Sequence, residues 1–336
     1  MVQYNIGDKN MTVVVGILNK KGVAIAADSA TTNDMKNNST GEKEKKVVNS
    51  GNKMLRLSDK MPIGIMIVDS AQLVGLPWDV IIRWYRKQLG DKQFRTVEET
   101  AKDFLQTIEK QPFFIEACQS SKSFYETHLV FAGYGAQQDY PQLVDVKIIG
   151  ISQEEDADEE GNFIMKYSIK GEFHSPFTIS DEQPSAICYF GQTDIAAALT
   201  DDATKNDELK VFCLEAATVL RNNLKELADK GKFSIDDIPE TVSYQKGFLS
   251  VFQQDNEESH QQWLDAIKHY TLQEMAALAK NLINFTELYH KLMCLDESVG
   301  GLIDLAVITL EDSFQWLNRK SWYDPSRGGQ YGKFGI

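Results

Sequence analysis

The sequence predicts an α+β fold in which two stacked sheets lie between layers of helices. Its strand-like segments are short, rich in β-branched residues and largely apolar on both faces, as buried strands are. Two helix-like segments separate an early from a later group of strands, and more helical sequence follows before the last predicted strand. This order favours two sheets that pack on each other and against helices on both outer sides.

The individual elements follow from local pattern. The predicted strands are short apolar or alternating runs, at 12–18, 23–27, 53–57, 63–68, 128–132, 142–149, 163–169, 186–190 and 302–309. The predicted helices carry apolar residues at helical spacing, at 71–89, 96–111 and 271–293. The polar segment 33–46 is predicted as an exposed loop, and the tail 319–336 as irregular. The chain shows no internal repeat and no linker, so we expect one domain.

Composition excludes several functions. The net charge of −14 argues against a nucleic-acid-binding surface, which would be basic, and against docking on an anionic membrane. No apolar run approaches the ~20 residues that a membrane-spanning helix needs. The polar segment 1–10 lacks the apolar core of a signal peptide, so we expect a cytoplasmic protein.

Cysteine and histidine spacing gives no sign of a metal or cofactor. The four cysteines (Cys118, Cys188, Cys213 and Cys294) are far apart and form no CxxC pair, and the five histidines form no HExxH motif. Residues 133–135 read GYG, without the rest of a dinucleotide-binding fingerprint. The sequence therefore predicts no cofactor, no metal site and no disulfide framework.

The N-terminal third carries a family resemblance. Residues 12–32, TVVVGILNKKGVAIAADSATT, resemble the start of a mature proteasome β subunit: a threonine-led strand, a glycine turn, an apolar strand, then Ala-Asp-Ser. Segments NKMLRL at 52–57, IGIM at 63–66 and AGY at 132–134 are similar to the strands that follow in that family. Residues 298–308, SVGGLIDLAVI, look like its closing glycine turn and strand, especially in bacterial Anbu-type proteins.

The resemblance implies the four-layer αββα sandwich of N-terminal-nucleophile hydrolases, with a threonine as nucleophile. By position, Thr12 matches that threonine, whose hydroxyl attacks while its own free α-amine acts as the base. Lys53 matches the catalytic lysine, and Asp28 the aspartate that pairs with it. Asp296 matches a second aspartate near the closing turn. Residues 1–11 would then be an N-terminal extension or propeptide, and 12–336 the proteasome-like domain.

The resemblance also implies a substrate-binding wall. Thr31 and Met66 match positions that line the side-chain pocket, although a methionine in a strand is more often plain core. Val68 falls where the family has a glycine whose N–H helps to form the oxyanion hole. Phe190 and Val299 stand where peptidases carry supporting serines. The three departures favour the alternative described next.

Two functions are therefore compared. The first is a threonine peptidase or other amide hydrolase, favoured by Thr12, Asp28 and Lys53 together. The second is a non-catalytic scaffold or ring subunit of the same fold that retains its N-terminal extension. For either, the resemblance implies a homo-oligomer; for the first it adds a peptide or protein substrate and admits an ATP-dependent unfoldase as partner. Residues 199–270 exceed the family's length, and we expect a helical insertion on the rim of the assembly.

Overall fold

A computed structural model of the chain describes residues 12–36, 43–48, 51–121, 123–157, 163–191, 256–292 and 300–319, with scattered positions between 214 and 240. The strands are β1 Val13–Asn19, β2 Gly22–Ala27, β3 Thr31–Lys36, β4 Lys43–Val48, β5 Met54–Arg56, β6 Ile63–Asp69, β7 Gln72–Leu73, β8 Leu76–Pro77, β9 Thr127–Gly133, β10 Gln142–Ala157, β11 Phe163–Phe173, β12 Phe177–Thr178, β13 Ser185–Gly191, β14 Asp304–Thr309 and β15 Ser313–Asn318. The helices are α1 Trp78–Leu89, α2 Val97–Glu109, α3 Pro112–Ser120, α4 Asn256–His269 and α5 Leu272–Leu292.

The described strands form two large antiparallel sheets. A five-stranded sheet has the order β13-β1-β2-β14-β15. A second sheet has the order β11-β10-β9-β6-β5, with the short β12 paired to β10. The expected mixture of helices and sheets is confirmed, and the structure shows that the two large sheets are antiparallel.

Three apolar clusters show what each sheet face packs against. One cluster joins α1, α2 and α3 to the second sheet and includes Trp78, Tyr85, Phe104 and Phe131. A second contains residues of both sheets. The third joins α4 and α5 to the five-stranded sheet. Strands β1 and β2 are buried along their whole length, because one face meets the helices and the other meets the second sheet.

Helix α4 is held tightly to the five-stranded sheet. Ile267 is fully buried in the third cluster, and its carbonyl oxygen accepts a hydrogen bond of 2.9 Å from Asn19 Nδ2. Ser185 Oγ donates to the Leu264 carbonyl oxygen at 2.6 Å. Residues 256–269, which fall within the segment predicted as an insertion, thus contribute to a core. The role of the rest of 199–270 stays a prediction, since it lies almost entirely outside the described residues.

Several predicted elements were wrong or missing. The segment 33–46, expected to be a loop, contributes to the β3–β4 hairpin. Helix α1 begins at Trp78 rather than 71, because residues 72–77 form the small β7–β8 hairpin. Helix α3 and the edge strand β15 were not predicted, so 302–309 does not hold the last strand. Among the described residues, no helix is long and apolar enough to cross a bilayer.

Candidate active site

Thr12 directly precedes β1, and the residue is only 3% exposed. Its neighbour Val13 pairs with Gly191, the last residue of β13. Gly191 has a φ of +86°, and a Cβ built on it would lie 1.8 Å from the Thr12 carbonyl oxygen and 3.3 Å from Val68 Cγ1. Only glycine fits this position, both by conformation and by space. Thr12 therefore lies beside Gly191, next to the end of β6.

Asp28 is the hub of the site and is fully buried just after β2. Its Oδ1 accepts hydrogen bonds from the Val13 backbone N–H at 3.1 Å and from Lys53 Nζ at 2.8 Å. Its Oδ2 accepts from the backbone N–H groups of Ala30 at 3.2 Å and Gly300 at 3.3 Å. A buried carboxylate is costly unless such donors and a counter-ion replace its water. The resemblance implies that Asp28 pairs with Lys53, and the structure brings the two side chains into contact.

Lys53 reaches Asp28 from the start of the second sheet. Its side chain is 9% exposed, and its backbone carbonyl oxygen accepts a hydrogen bond of 2.8 Å from the Ile67 N–H on β6. This backbone hydrogen bond holds the main chain of Lys53 against β6, and the lysine side chain extends from there toward Asp28. One oxygen of Asp28 thus binds both the Lys53 ammonium and the backbone N–H of Val13, the residue that follows Thr12.

The closing glycine turn lies against the same aspartate. The Gly300 carbonyl oxygen accepts hydrogen bonds from Ser29 N at 3.2 Å and Ala30 N at 3.0 Å. Gly300 has a φ of +149°, a conformation that favours glycine. Asp296 and Val299, which the resemblance places just before this turn, lie outside the described residues.

The structure places the residues predicted to line the substrate pocket, although it describes some of their side chains and not others. Val68 is fully buried near the end of β6, beside Gly191. Met66 is also fully buried and packs in the cluster between the sheets, as a core residue does. Thr31 begins β3, and its side chain lies outside the description. Phe190 pairs with Val14 and is half-buried. A pocket role for Thr31, Met66 and Val68 stays a prediction.

Sequence reasoning missed a polar cluster on the second sheet. His128 Nδ1 lies 3.0 Å from Asp145 Oδ1 and 3.1 Å from Oδ2, and His174 Nδ1 lies 2.5 Å from Oδ2. His128 lies 17 positions before Asp145 and His174 lies 29 positions after it, so no short sequence motif reveals the cluster. The pairing of β9 with β10, and the return of the chain after β11, bring them together.

This His–Asp–His cluster adjoins the wall next to Thr12. His128 is the direct cross-strand partner of Val68. Side chains alternate along β9, and Val130 and Ala132 lie in the cluster between the sheets. His128 therefore projects from the same face of the sheet as Val68, one strand farther from Lys53.

The surroundings of His128 and Cys188 shift the pKa values of both side chains. Burial opposes ionisation of His128, but the hydrogen bond and charge of Asp145, aided by Asp69, raise the pKa of that imidazole above its ordinary value. Burial, aided by the charge of Asp145, raises the pKa of the Cys188 thiol. Cys188 is therefore a neutral thiol and not a candidate nucleophile.

We expect the Asp28–Lys53 pair to dominate local stability. Replacing Lys53 by Met leaves the buried Asp28 carboxylate without its cation, which should lower the free energy of unfolding by about 3–5 kcal/mol. Lys20→Met is the matched control, because Lys20 forms an exposed ion pair with Asp181. Urea unfolding measures the free energy of unfolding of both variants. The value for Lys20→Met should equal that of the original protein within experimental error. Equal losses in the two variants would contradict the role assigned to Asp28.

No protein-family model and no curated protein matches the sequence. Among solved structures, the chain is similar to an Anbu (Gly-1) mutant from Hyphomicrobium sp. strain MC1, with a TM-score of 0.41, 12% identity, and coverage of 92% of this chain and 86% of that one. It is also similar to Anbu (ancestral beta-subunit) from Yersinia bercovieri, with a TM-score of 0.39, 13% identity, and coverage of 91% and 87%. TM-scores this low do not by themselves establish a common fold. Two Anbu proteins, the type that the sequence resembles, are thus among the solved structures similar to this chain.

Proposed function

We propose that this chain is an N-terminal-nucleophile amide hydrolase of the proteasome type, with Thr12 as nucleophile. The observation that supports it most is the shared oxygen of Asp28, which binds both Lys53 Nζ and the N–H that follows Thr12. Such an arrangement places the Lys53 ammonium and the peptide group that follows Thr12 on one acceptor atom. A structural ion pair alone does not require a threonine there.

The proposed chemistry uses groups at this one end of the sheets. The Thr12 hydroxyl attacks the carbonyl carbon of a peptide or other amide, and the freed α-amine of Thr12 takes its proton. The α-amine passes that proton to the amide nitrogen as the C–N bond breaks, which releases the amine product and leaves an acyl ester on Thr12. Water then hydrolyses this ester and frees the threonine. An α-amine titrates near ~7.7–8.0, so it is partly unprotonated at neutral pH. The Lys53 ammonium stabilises the developing alkoxide, while Asp28 holds Lys53 in place. Asp296 and a backbone N–H near Val68 complete the proposed site.

The apolar clusters support the αββα architecture of this enzyme class. One cluster lies between helices and the second sheet, one contains residues of both sheets, and one lies between the first sheet and α4–α5. That sequence of contacts is what helices, sheet, sheet and helices stacked in order would produce. We include the four-layer sandwich in the proposal on this basis.

The proposal requires maturation. In the chain that carries residues 1–11, the nitrogen of Thr12 is a peptide nitrogen and cannot act as a base, and Thr12 is only 3% exposed. Met11 immediately precedes Thr12, so two routes can free the amine. Either the chain is cleaved between Met11 and Thr12, or translation starts at Met11 and that methionine is removed.

The burial of Thr12 also favours one alternative, a non-catalytic scaffold that keeps residues 1–11. The fully buried Val68 beside Gly191 supports this alternative, since its side chain occupies space that a glycine would leave to substrate. The buried Asp28–Lys53 pair would then only join the two sheets. The two functions differ in whether the Thr12 amine is ever free.

Chemical labelling tests the nucleophile. A peptide epoxyketone should label the matured protein at Thr12, and Thr12→Ala should reduce labelling by more than about 10³-fold, as expected when a nucleophile is removed. Thr12→Ser, which keeps a hydroxyl and an α-amine, is the matched control and should retain labelling. Mass spectrometry of the intact protein measures the adduct.

Folding must be checked in the same samples. The Thr12→Ala protein should still unfold cooperatively in urea, at a somewhat lower urea concentration, because the change removes a buried methyl and hydroxyl group worth about 1–2 kcal/mol. Full labelling of a folded Thr12→Ala protein would contradict the proposal. So would an adduct on any other residue.

We also propose that the chain forms a ring or helical homo-oligomer, which would restrict access to Thr12. Helix α5 exposes Phe285, Leu288 and Leu292, with fractional exposures of 47%, 48% and 40%. Their spacing places them on one side of the helix, and contiguous exposed apolar surface of this kind marks interaction sites. A second copy of the chain is the proposed occupant of this stripe.

Multi-angle light scattering at micromolar concentration tests the assembly. The original chain should have a mass at least twice that of one chain, which is 37.9 kDa. Leu288→Glu should shift the mass toward that of the monomer, because it places a charge in the buried contact. Phe163→Glu, at a 75% exposed position on β11, is the control and should leave the mass unchanged. A strict monomer for the original chain would contradict the assembly.

A further inference from the structure

The His–Asp–His cluster brings together the ligand atoms of a metal site. One ring nitrogen of His128, one of His174 and the carboxylate of Asp145 all lie within 4.8 Å of one another. The three residues come from β9, from β10 and from the residue that follows β11. The backbone N–H of His174 also donates to the Asp145 carbonyl oxygen at 3.1 Å, which fixes the start of the turn. The site is therefore built on the rigid part of the second sheet.

The Asp145 carboxylate is buried beside the two more exposed histidines. Its side chain is only 4% exposed, whereas those of His128 and His174 are 22% and 48% exposed. The nearest lysine along the strand, Lys147, forms its ion pair with Glu126 at 3.2 Å. The Nδ1 atoms of His128 and His174 both face this carboxylate, so three side chains that can ligate a metal surround one buried acidic group. A divalent cation between the three groups would neutralise it.

The donor set selects the class of metal. Two imidazoles with one carboxylate suit first-row transition metals such as zinc, whereas magnesium and calcium prefer ligands that are all oxygen. In a tetrahedral zinc site with bonds near 2.0–2.2 Å, the ligand atoms are roughly 3.4 Å apart. The observed contacts of 2.5 to 3.1 Å need to lengthen only slightly, and the side chain of His174 is 48% exposed on its solvent side.

We propose that His128, Asp145 and His174 bind one divalent transition-metal ion, with zinc as the reference ion. Three protein ligands leave a fourth position for water on the side of the exposed His174, as in open metal sites. The ion would hold β9, β10 and the end of β11 together directly beside Val68. This proposal does not depend on Thr12 being a nucleophile.

Calorimetric titration of the full chain with zinc, after dialysis against EDTA, tests the site. One high-affinity ion should bind per chain. His174→Gln should weaken binding by more than about tenfold, since even second-sphere changes at metal sites cost about 10–100-fold. His269→Gln is the matched control, because His269 is exposed on α4 and remote from the cluster. Equal zinc binding by both variants, or no binding by the original chain, would overturn the proposal.

Cobalt supplies a second measurement that identifies the ligands. Bound Co²⁺ should give visible d–d absorption without a thiolate charge-transfer band, because the proposed ligands are nitrogen and oxygen atoms. The absorption should be lost in Asp145→Asn, whose thermal unfolding reports whether it is folded. A thiolate band would assign the metal to cysteines, and an unchanged spectrum in folded Asp145→Asn would exclude the carboxylate; either result would overturn the site.

Discussion

The carboxylate of Asp28 joins the parts of the protein on which the candidate site depends. It is fully buried, yet four donors surround it: the N–H groups of Val13, Ala30 and Gly300, and Nζ of Lys53. These donors belong to the start of β1, the turn after β2, the closing glycine turn and the strand that begins the second sheet. A single buried charge thus couples both sheets at the end where Thr12 lies. Loss of any donor would leave part of that charge unsatisfied, so the geometry around Thr12 is fixed by electrostatics as well as by packing.

Much of this arrangement could be predicted from the sequence, because its signals are local. The β1–β2 hairpin follows from two runs of buried β-branched residues around a glycine turn, and α2 and α5 follow from their apolar periodicity. The pairing of Asp28 with Lys53 came from the resemblance to proteasome β subunits, since no periodicity links positions 28 and 53. The roles of Thr31, Met66, Val68 and Asp296 stay predictions. Met66, for instance, packs as ordinary core between the sheets.

What the sequence did not reveal depends on contacts between distant segments. The edge strand β15 is six residues long and buries only Phe314 well, so its short pattern becomes evident once β14 pairs with it. Helix α3 follows α2 after a break at residue 111, and its weak periodicity hid a separate helix that buries Phe114. The His128–Asp145–His174 cluster is formed by strand pairing. His128 precedes Asp145 by 17 positions and His174 follows it by 29, and the fold brings both histidines to this one carboxylate. Such clusters escape motif-based reasoning because register, not spacing, determines them.

The central claim is that Thr12 acts with a free α-amine beside the Asp28–Lys53 pair. The most direct test is the mass of the intact protein purified from its native host, combined with sequencing of its N-terminus. The account predicts a chain that begins at Thr12, lighter than the full chain by residues 1–11. A chain that begins only at Met1 or Val2 in every assembled form would contradict the account, because the nitrogen of Thr12 would then remain a peptide nitrogen and could not serve as a base.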